Sequence, residues 1–256
     1  MKLVLSVNNG FEKYAAVVLH SFFHYNKEEG TEVFILYEEY SDSIGKLKWF
    51  EHRHSCSIRF CQVNTRLLDR SVVNGHVTIA TYFRLLLAET LPEESKVLYL
   101  DCDLVVKGSL AELWSTPLTT YAVAAVEDKK FDLHEKLGFP AKPYFNAGVL
   151  LINLDFWREQ KLTQQFLFFL ENHGDRISFW DQDVLNVVLL NKCLFLNEKW
   201  NYVPTADRVP IDVQIVHFAG IHKPWHIHYP FRKIKKHYLR FCLNSPLPTT
   251  SYFKYF

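Results

Sequence analysis

The most informative segment of this 256-residue chain reads Lys96-Val97-Leu98-Tyr99-Leu100-Asp101-Cys102-Asp103-Leu104-Val105. Its apolar first half predicts a buried strand, and two carboxylates follow that strand directly. Because side chains alternate along an extended chain, Asp101 and Asp103 can lie on the same side. Two neighbouring carboxylates repel each other unless a cation or a proton neutralises them. The segment therefore predicts a divalent-metal site that suits a diphosphate, with a strand end capped by two aspartates as the alternative.

Apolar strands and amphipathic helices alternate on both sides of this segment. The expected strands before it are 2–7, 32–37 and 57–63, and the expected helices are 14–25, 43–52 and 81–90. After it we expect an apolar strand at 148–153, helices at 155–172 and 181–190, and a short strand at 213–218. This alternation indicates an α/β fold with a parallel sheet, and in such sheets ligands bind at the carboxyl ends of the strands.

Composition places the chain among globular proteins. It has 29 Lys and Arg against 28 Asp and Glu, and 48% of its residues are hydrophobic. That apolar content excludes long disorder, and no apolar run reaches the roughly 18 residues that a membrane-spanning helix needs. Five cysteines without a Cys-x-x-Cys pair or a zinc-ligand spacing predict reduced thiols. We therefore expect a cytoplasmic protein.

The C-terminal part of the chain is basic and aromatic. Residues 213–256 contain seven Lys and Arg, five His and ten aromatic residues, but no Asp or Glu. Interleaved basic and aromatic side chains are typical of segments that bind an anionic membrane surface. No nucleic-acid-binding module is recognisable, so nucleic acid is not an expected partner. We expect peripheral attachment to the inner face of the plasma membrane, with packing of the segment on its own domain as the alternative.

A second motif, at residues 216–225, carries groups that suit the same ligand. It places His217, Gly220 and Lys223 three residues apart. Histidine can ligate a metal, glycine lets the backbone approach a phosphate, and lysine supplies a point charge. Together with the two aspartates, His217 would complete a ligand set of oxygen and nitrogen atoms. Such a mixed set favours Mn²⁺ over Mg²⁺.

Two further motifs present polar groups beside apolar elements. Residues 144–154 place an Asn-Ala-Gly sequence in front of a buried strand, where the amide can bind a sugar hydroxyl. Residues 180–186 cluster polar groups at the start of a helix. Either carboxylate of that cluster, Asp181 or Asp183, could instead cap the helix.

A strand followed by Asp-x-Asp is also typical of haloacid-dehalogenase-like phosphatases. There the first aspartate, here Asp101, is phosphorylated and the second, here Asp103, acts as acid and base. In that class the motif usually lies on an early strand, whereas at least two strands precede it here. No paired-aspartate metal motif follows it either. The residues alone leave this phosphatase as an alternative.

In order and spacing, the four motifs resemble glycosyltransferase family 8, whose members are retaining enzymes with a GT-A fold. They are most similar to the bacterial lipooligosaccharide and lipopolysaccharide α-galactosyltransferases and glucosyltransferases. Residues 76–85, HVTIATYFRL, match a further segment of that family. The resemblance implies a GT-A domain at 1–230, with a Rossmann-like, mostly parallel sheet flanked by helices. It leaves a basic aromatic tail at 231–256.

The resemblance also implies a metal site and a donor site. Asp101, Asp103 and His217 match the metal ligands, and the metal would be Mn²⁺, or else Mg²⁺. The implied donor-binding residues are Ser6, Asn8, Asn9, Phe11, Arg84, Asp101, Cys102, Asp103, Asn146, Ala147, Gly148, Asp181, Gln182, His217, Gly220 and Lys223.

Some of these assignments carry more detail. Many relatives have aspartate where Asn8 stands, but the amide oxygen of asparagine can still accept the N3–H of uracil. Asp128 matches a position near the same pocket, and His76 matches one at the acceptor cleft. Gln182 and Asp181 are the expected catalytic residues, because they would lie beside the reacting carbon of the sugar and its hydroxyls.

The implied reaction transfers galactose or glucose from UDP-galactose or UDP-glucose to a saccharide acceptor. The acceptor would be lipid-linked or part of a glycoprotein, in the synthesis of bacterial surface glycans. No evident carboxylate nucleophile is present, which favours attack by the acceptor on the same face that the leaving phosphate occupies. A nucleotide-sugar-binding protein without turnover is the remaining alternative.

Overall fold

The computed structural model describes residues 1–8, 10–69, 78–129 and 143–247. Two residues singled out above, Asn9 and His76, lie outside these ranges, as does the end of the predicted tail. The described strands are β1 (Lys2–Ser6), β2 (Thr31–Tyr37), β3 (Cys56–Gln62), β4 (Lys96–Leu100), β5 (Leu104–Val106), β6 (Val123–Glu127), β7 (Phe145–Asn153), β8 (Cys193–Leu196) and β9 (Ile215–His217).

Seven of these strands form one sheet in the order β3-β2-β1-β4-β7-β6-β8. Strand β7 runs antiparallel to both of its neighbours, whereas the other neighbouring pairs are parallel. Strands β5 and β9 form a separate antiparallel pair. The predicted α/β fold with a mostly parallel sheet is therefore confirmed.

Helices cover both faces of the sheet. The α-helices are α1 (Glu12–Tyr25), α2 (Asp42–Gly45), α3 (Leu87–Thr90), α4 (Ala111–Ser115), α5 (Leu154–Glu159), α6 (Leu162–His173), α7 (Trp180–Val188) and α8 (Arg232–Cys242). The 3₁₀ helices are Lys46–Phe50, Thr65–Leu68, Ile79–Leu86, Gly174–Arg176 and Glu198–Trp200.

Alternation along the central strands divides the core into two apolar layers. Leu3 and Leu5 of β1 pack with α1 and α8 on one face, and Val4 packs with α3, α5, α6 and α7 on the other. Strands β1, β2 and β4 are thus buried on both faces, which explains their nearly continuous apolar sequences. The faces of the sheet are thus apolar, and the polar groups lie at its carboxyl edge.

Two predicted helices differ in the structure. The segment at 155–172 is two helices, α5 and α6, because Lys161 between them has a left-handed φ of 53°. The segment at 81–90 is mostly a 3₁₀ helix, which becomes α-helical only in α3. Arg84 Nε donates to Thr81 O (3.0 Å), the carbonyl that an α-helix would pair with the N–H of residue 85. Hydrophobic periodicity gives no information on such a side-chain contact, so it could not predict the 3₁₀ geometry.

Helix α8 forms most of the described part of the predicted tail, residues 231–247. Its apolar side chains, among them Ile234, Tyr238 and Phe241, are buried in the layer that contains α1. His20 Nδ1 of α1 lies 3.0 Å from Phe241 O. In the described ranges, no helix has both the length and the apolar composition to cross a membrane.

Candidate active site

The topology brings the predicted motifs to one edge of the sheet. Strands β1 and β4 are parallel neighbours, so their carboxyl ends carry Ser6 and Asp101 to the same edge. Strand β7 is antiparallel, so its first residues, rather than its last, lie there, and Asp101 N donates to Gly148 O at 2.9 Å. The pairing of β5 with β9 sets His217 opposite Leu104, next to Asp103.

A cavity of about 510 Å³ opens at this edge. It is large enough for a ligand of nucleotide-sugar size. The predicted site residues that line it are Ser6, Asn8, Phe11, Arg84, Asp101, Cys102, Asp103, Asp128, Asn146, Ala147, Gly148, Asp181, Gln182, His217, Gly220 and Lys223. Except for Asn9 and His76, the structure thus brings together every residue that the sequence assigned to the site.

Three potential metal ligands meet in the cavity. One ligand atom each from Asp101, Asp103 and His217 lie within 4.8 Å of one another. His217 Nε2 is 3.1 Å from Asp103 Oδ1 and 3.8 Å from Asp101 Oδ2. A site of two carboxylate oxygens and one imidazole nitrogen fits a divalent cation.

Lys223 occupies the other side of Asp103. Its Nζ donates to Asp103 Oδ2 at 2.5 Å and to Phe218 O at 3.1 Å. Burial of Asp103 disfavours its charge, but Lys223 and then His217 outweigh burial and hold its pKa well below its usual range. Asp103 is therefore ionised at neutral pH, as a ligand for a cation must be.

Arg84 holds the inner wall of the cavity together. It is 3% exposed, and its Nη2 donates to Asp101 Oδ1 at 2.7 Å while its Nη1 donates to Ala147 O. The guanidinium also lies over the ring of Tyr99, 4.3 Å from its centroid. Burial disfavours the charge of Arg84, but Asp101 and Asp181 outweigh it and raise the pKa of Arg84 above its ordinary value.

Asp181 is a buried carboxylate, and one of its two oxygens accepts no hydrogen bond. Its Oδ1 accepts from the Thr81 hydroxyl at 2.6 Å. Its Oδ2 lies 2.9 Å from Arg84 Nε but accepts no hydrogen bond there, since Nε donates to Thr81 O. Burial raises the pKa of Asp181 to about 6, although Arg84 opposes the shift. Asp181 does not cap α7, whereas Asp183 accepts from the backbone N–H groups of residues 178 and 179.

The two amides of the cavity are oriented by backbone groups. Gln182 Oε1 accepts from Ala147 N–H at 2.9 Å, and Asn146 Oδ1 accepts from Gly148 N–H at 3.0 Å. Asn146 Nδ2 points to Asp128 Oδ2, 3.4 Å away. Because a backbone N–H can only donate, both amide oxygens are identified without ambiguity.

The motifs missed several residues of the site. Tyr99 OH donates to Asp101 Oδ1 at 3.1 Å, and the spacing of two residues along a strand could have shown that they share a side. Thr81 belongs to the site because its hydroxyl donates to Asp181, a contact that no sequence pattern indicates. The other lining residues outside the prediction are Thr78, Ala80, Phe179, Trp180, Val203, Ala219 and Ile221.

Comparison with known proteins identifies the family. The sequence profile of glycosyl transferase family 8 matches residues 2–228. The chain belongs to glycosyltransferase family 8. General stress protein A of Bacillus subtilis is 30% identical over 210 residues, an alignment that covers 72% of this chain and 73% of that protein.

Two more comparisons bear on the fold and the site. The lipopolysaccharide 1,3-galactosyltransferase of Salmonella typhimurium is 34% identical over 190 residues, covering 66% of this chain but only 56% of that protein. The solved structure of the galactosyltransferase LgtC, in complex with donor and acceptor sugar analogs, has 25% identity, a TM-score of 0.88 and 99% coverage of both chains. The expected GT-A fold is confirmed.

Family 8 membership decides between the classes that the residues left open. One match spans residues 2–228 and includes Asp101 and Asp103, so the phosphatase is not favoured. GT-A glycosyltransferases use nucleotide-sugar donors and a divalent metal, and the Asp-Asp-His cluster offers a place for such a metal.

Gly148 lies so close to His217 that a substitution there can be used to test the proposed metal cluster. A Cβ at Gly148 would be 2.1 Å from Cε1 of the imidazole and 2.7 Å from its Nδ1. We expect Gly148→Ala to displace the ring and to weaken Mn²⁺ binding by about tenfold or more, measured by electron paramagnetic resonance of free Mn²⁺.

Gly108→Ala is the matched control for this substitution. The three atoms nearest to its Cβ would all belong to the amide end of Gln214, a flexible and partly exposed side chain, so we expect unchanged Mn²⁺ affinity. If Gly148→Ala bound Mn²⁺ as tightly as the wild type does, His217 would not be a metal ligand in the arrangement described.

The raised pKa of Asp181 predicts a specific pH dependence of stability. Its pKa is about 6 in the folded chain against an ordinary value of 3.8, so the folded state binds more protons between these pH values. The wild type should therefore lose stability relative to Asp181→Asn as pH rises from about 4 to about 6, with a slope of up to about 1.4 kcal/mol per pH unit. Above pH 6 the difference should be constant. Urea unfolding at each pH measures it, and a flat difference from pH 4 to 6 would contradict the shift.

Proposed function

We propose that this chain is a retaining hexosyltransferase that moves galactose, or alternatively glucose, from a UDP-sugar to a saccharide acceptor. The observation that carries the proposal is the Asp101-Asp103-His217 cluster beside Lys223, inside a cavity at the carboxyl edge of the sheet. A cluster of this charge and composition suits the diphosphate of a nucleotide sugar. Family 8 membership supports the same assignment.

The uridine end of the donor would lie over the end of β1. Ser6, Asn8 and Phe11 line the cavity there, and Asn9 is assigned to the same contact by resemblance. The amide oxygen of Asn8 can accept the N3–H of uracil, and Phe11 offers an aromatic surface to the base. The neighbouring Cys102 keeps its proton, because burial raises the pKa of its thiol well above the usual value.

The diphosphate would lie between β4 and β9. Asp101, Asp103 and His217 would hold Mn²⁺, or else Mg²⁺, and the bound metal would stabilise negative charge on the leaving diphosphate. Lys223 would add a second positive charge, and its ammonium is already at the site. Gly220, with a φ of 92°, lets the backbone N–H groups of the loop approach the phosphates.

The sugar would lie against α7 and the start of β7. Asp181 lines this wall of the cavity, and its carboxylate would hold a sugar hydroxyl. Gln182 Oε1 is fixed by Ala147 N–H but retains a second lone pair, which can face the oxocarbenium-like carbon. Because Asp181 is engaged by Arg84 and Thr81, same-face attack by the acceptor accounts for retention better than a carboxylate nucleophile. Isolation of a glycosyl adduct on Asp181 would contradict that mechanism.

The relatives support a role in surface glycans and include both galactosyltransferases and a glucosyltransferase. One is a lipopolysaccharide 1,3-galactosyltransferase by name, and LgtC is a galactosyltransferase. Galactose and glucose differ only in the orientation of one hydroxyl. Because of these two galactosyltransferases, we propose galactose as the preferred hexose. The acceptor would be a lipid-linked saccharide of lipopolysaccharide or lipooligosaccharide, or a glycoprotein glycan, and the enzyme would work in the cytoplasm.

Release of UDP from UDP-galactose and UDP-glucose tests the proposed reaction directly. We expect Mn²⁺-dependent release that EDTA abolishes, and a loss of about 100-fold or more in Asp103→Asn, because a metal ligand is removed. Asp155→Asn is the matched control, since Asp155 is exposed and pairs only with Arg158 of its own helix.

Three outcomes of this assay are distinct. A preference for one sugar names the donor. Release that is independent of metal, or unchanged in Asp103→Asn, would contradict the proposed site. Binding of UDP without release from either sugar would indicate a nucleotide-sugar-binding protein.

Contact with an anionic membrane would rest on the exposed face of α8. Arg232, Lys233, Lys236 and Arg240 are exposed, whereas the aromatic residues Tyr238 and Phe241 are buried in the domain itself. The described helix therefore offers electrostatic attraction, worth about 1 kcal/mol per basic residue near the surface. This attraction would place a lipid-linked acceptor within reach.

Charge reversal on α8 tests the membrane contact. We expect Lys233→Glu with Lys236→Glu to abolish sedimentation with vesicles that contain phosphatidylserine, and to leave UDP release unchanged. Lys161→Glu with Arg176→Glu, two exposed residues outside α8, is the control and should still sediment. If the α8 variant binds these vesicles as wild type does, the proposed contact is wrong.

A further inference from the structure

Asn201, which belongs to none of the sequence motifs, contacts the proposed metal ligand His217. It is 3% exposed, and His217 Nδ1 lies 2.9 Å from its Oδ1. Its Nδ2 donates to Asn146 Oδ1 at 2.8 Å. Asn201 therefore links an amide of the sugar site to an imidazole of the metal site.

The direction of this hydrogen-bonded chain follows from one backbone group. Gly148 N–H can only donate, so the atom of Asn146 that it meets is Oδ1. An oxygen accepts, so Asn201 must present its NH₂ to Asn146 and its Oδ1 to His217. An acceptor facing His217 Nδ1 requires that this ring nitrogen carry the proton.

We infer that Asn201 is a positioning residue that holds His217 as the Nδ1–H tautomer and so presents the Nε2 lone pair to the metal. Nε2 is the atom that lies 3.1 Å from Asp103 Oδ1 and 3.8 Å from Asp101 Oδ2. In water the neutral imidazole of histidine favours the other tautomer, with the proton on Nε2. Without Asn201 that proton would sit on the atom that must bind the cation.

The backbone around Asn201 fixes its place relative to β9. Three hydrogen bonds join the two segments: Gln214 N to Lys199 O at 2.8 Å, Tyr202 N to Ile215 O at 3.0 Å, and His217 N to Tyr202 O at 2.9 Å. Trp200, 4% exposed, anchors the same segment in the core. The amide of Asn201 is thus held opposite the ring, as expected of a group that orients a metal ligand.

This inference deepens the proposed function, because it concerns the metal site on which that function depends. Its test uses the full-length protein without any sugar nucleotide. Nitrogen-15 spectra of the labelled histidine rings at pH 8, where an ordinary imidazole is neutral, report which nitrogen carries the proton. His217 is assigned from the signal lost in His217→Gln.

In the wild type we expect Nδ1 of His217 to carry a proton, donated to Asn201 Oδ1. In Asn201→Leu we expect the proton to move largely to Nε2, and the affinity for Mn²⁺ alone to fall by about 10- to 100-fold.

Asn26→Leu is the matched control for loss of a buried amide. Asn26 is also 3% exposed and accepts from Leu110 N–H, away from the cavity. It should lose stability but keep the tautomer of His217 and the affinity for Mn²⁺.

A wild-type His217 without a proton on Nδ1 would overturn the inference without any variant, even if Asn201→Leu does not fold. Unchanged Mn²⁺ affinity in a folded Asn201→Leu would also overturn it. Either result would leave the proposed transferase activity untouched. Conversely, if the protein released no UDP, a change of tautomer in Asn201→Leu would still support the role of Asn201 in orienting His217.

Discussion

The cavity depends on one buried cation, the guanidinium of Arg84. Asp101 and Asp181 come from two different elements, and both lie at a poorly hydrated edge where their charges would repel. Arg84 bonds Asp101, lies against Asp181 and donates to the carbonyl of Ala147, so it joins β4, β7 and α7. Removing one partner of a buried ion pair generally costs about 3–5 kcal/mol. The positions of the reactive groups are therefore consequences of where Arg84 sits.

The positive charges of the site differ in how firmly they are held. Arg84 has its donors committed to the protein, and Asp101 and Asp181 keep it charged. Lys223 is held mainly by Asp103 and by the carbonyl of Phe218. A point charge on a flexible stem can exchange one anion for another, which a locked guanidinium cannot. The site thus combines a fixed cation that shapes it with a cation that can meet a ligand.

Most of the fold and much of the site could be predicted from the sequence, because both follow from local patterns. Asp101 and Asp103 directly follow the apolar run that forms β4, and strand alternation fixes their side. The contacts that escaped prediction are long-range. Asn201 meets His217 across 16 residues and Asn146 across 55, and Thr81 meets Asp181 across 100. Such pairs depend on tertiary packing, which no spacing in the sequence encodes.

The type of the helix predicted at 81–90 could not be predicted either, again because of a side-chain contact. The segment Ile79–Leu86 has the apolar periodicity of a helix, yet the side chain of Arg84 takes the carbonyl of Thr81. The same arginine that organises the cavity also alters the backbone that carries it. A residue recruited to a site can therefore override local propensity in its own element.

The pairing of β5 with β9 has a consequence for the order in which the protein matures. Leu104 and His217 are opposite each other, although the whole of β6, β7 and α7 lies between them in the chain. Closing so long a loop is entropically costly and slow, so we expect this short pair to form after the contacts within the intervening segment. During synthesis the two aspartates emerge from the ribosome more than a hundred residues before the histidine that completes their cluster. The nascent chain therefore carries an acidic strand end long before it carries a metal site.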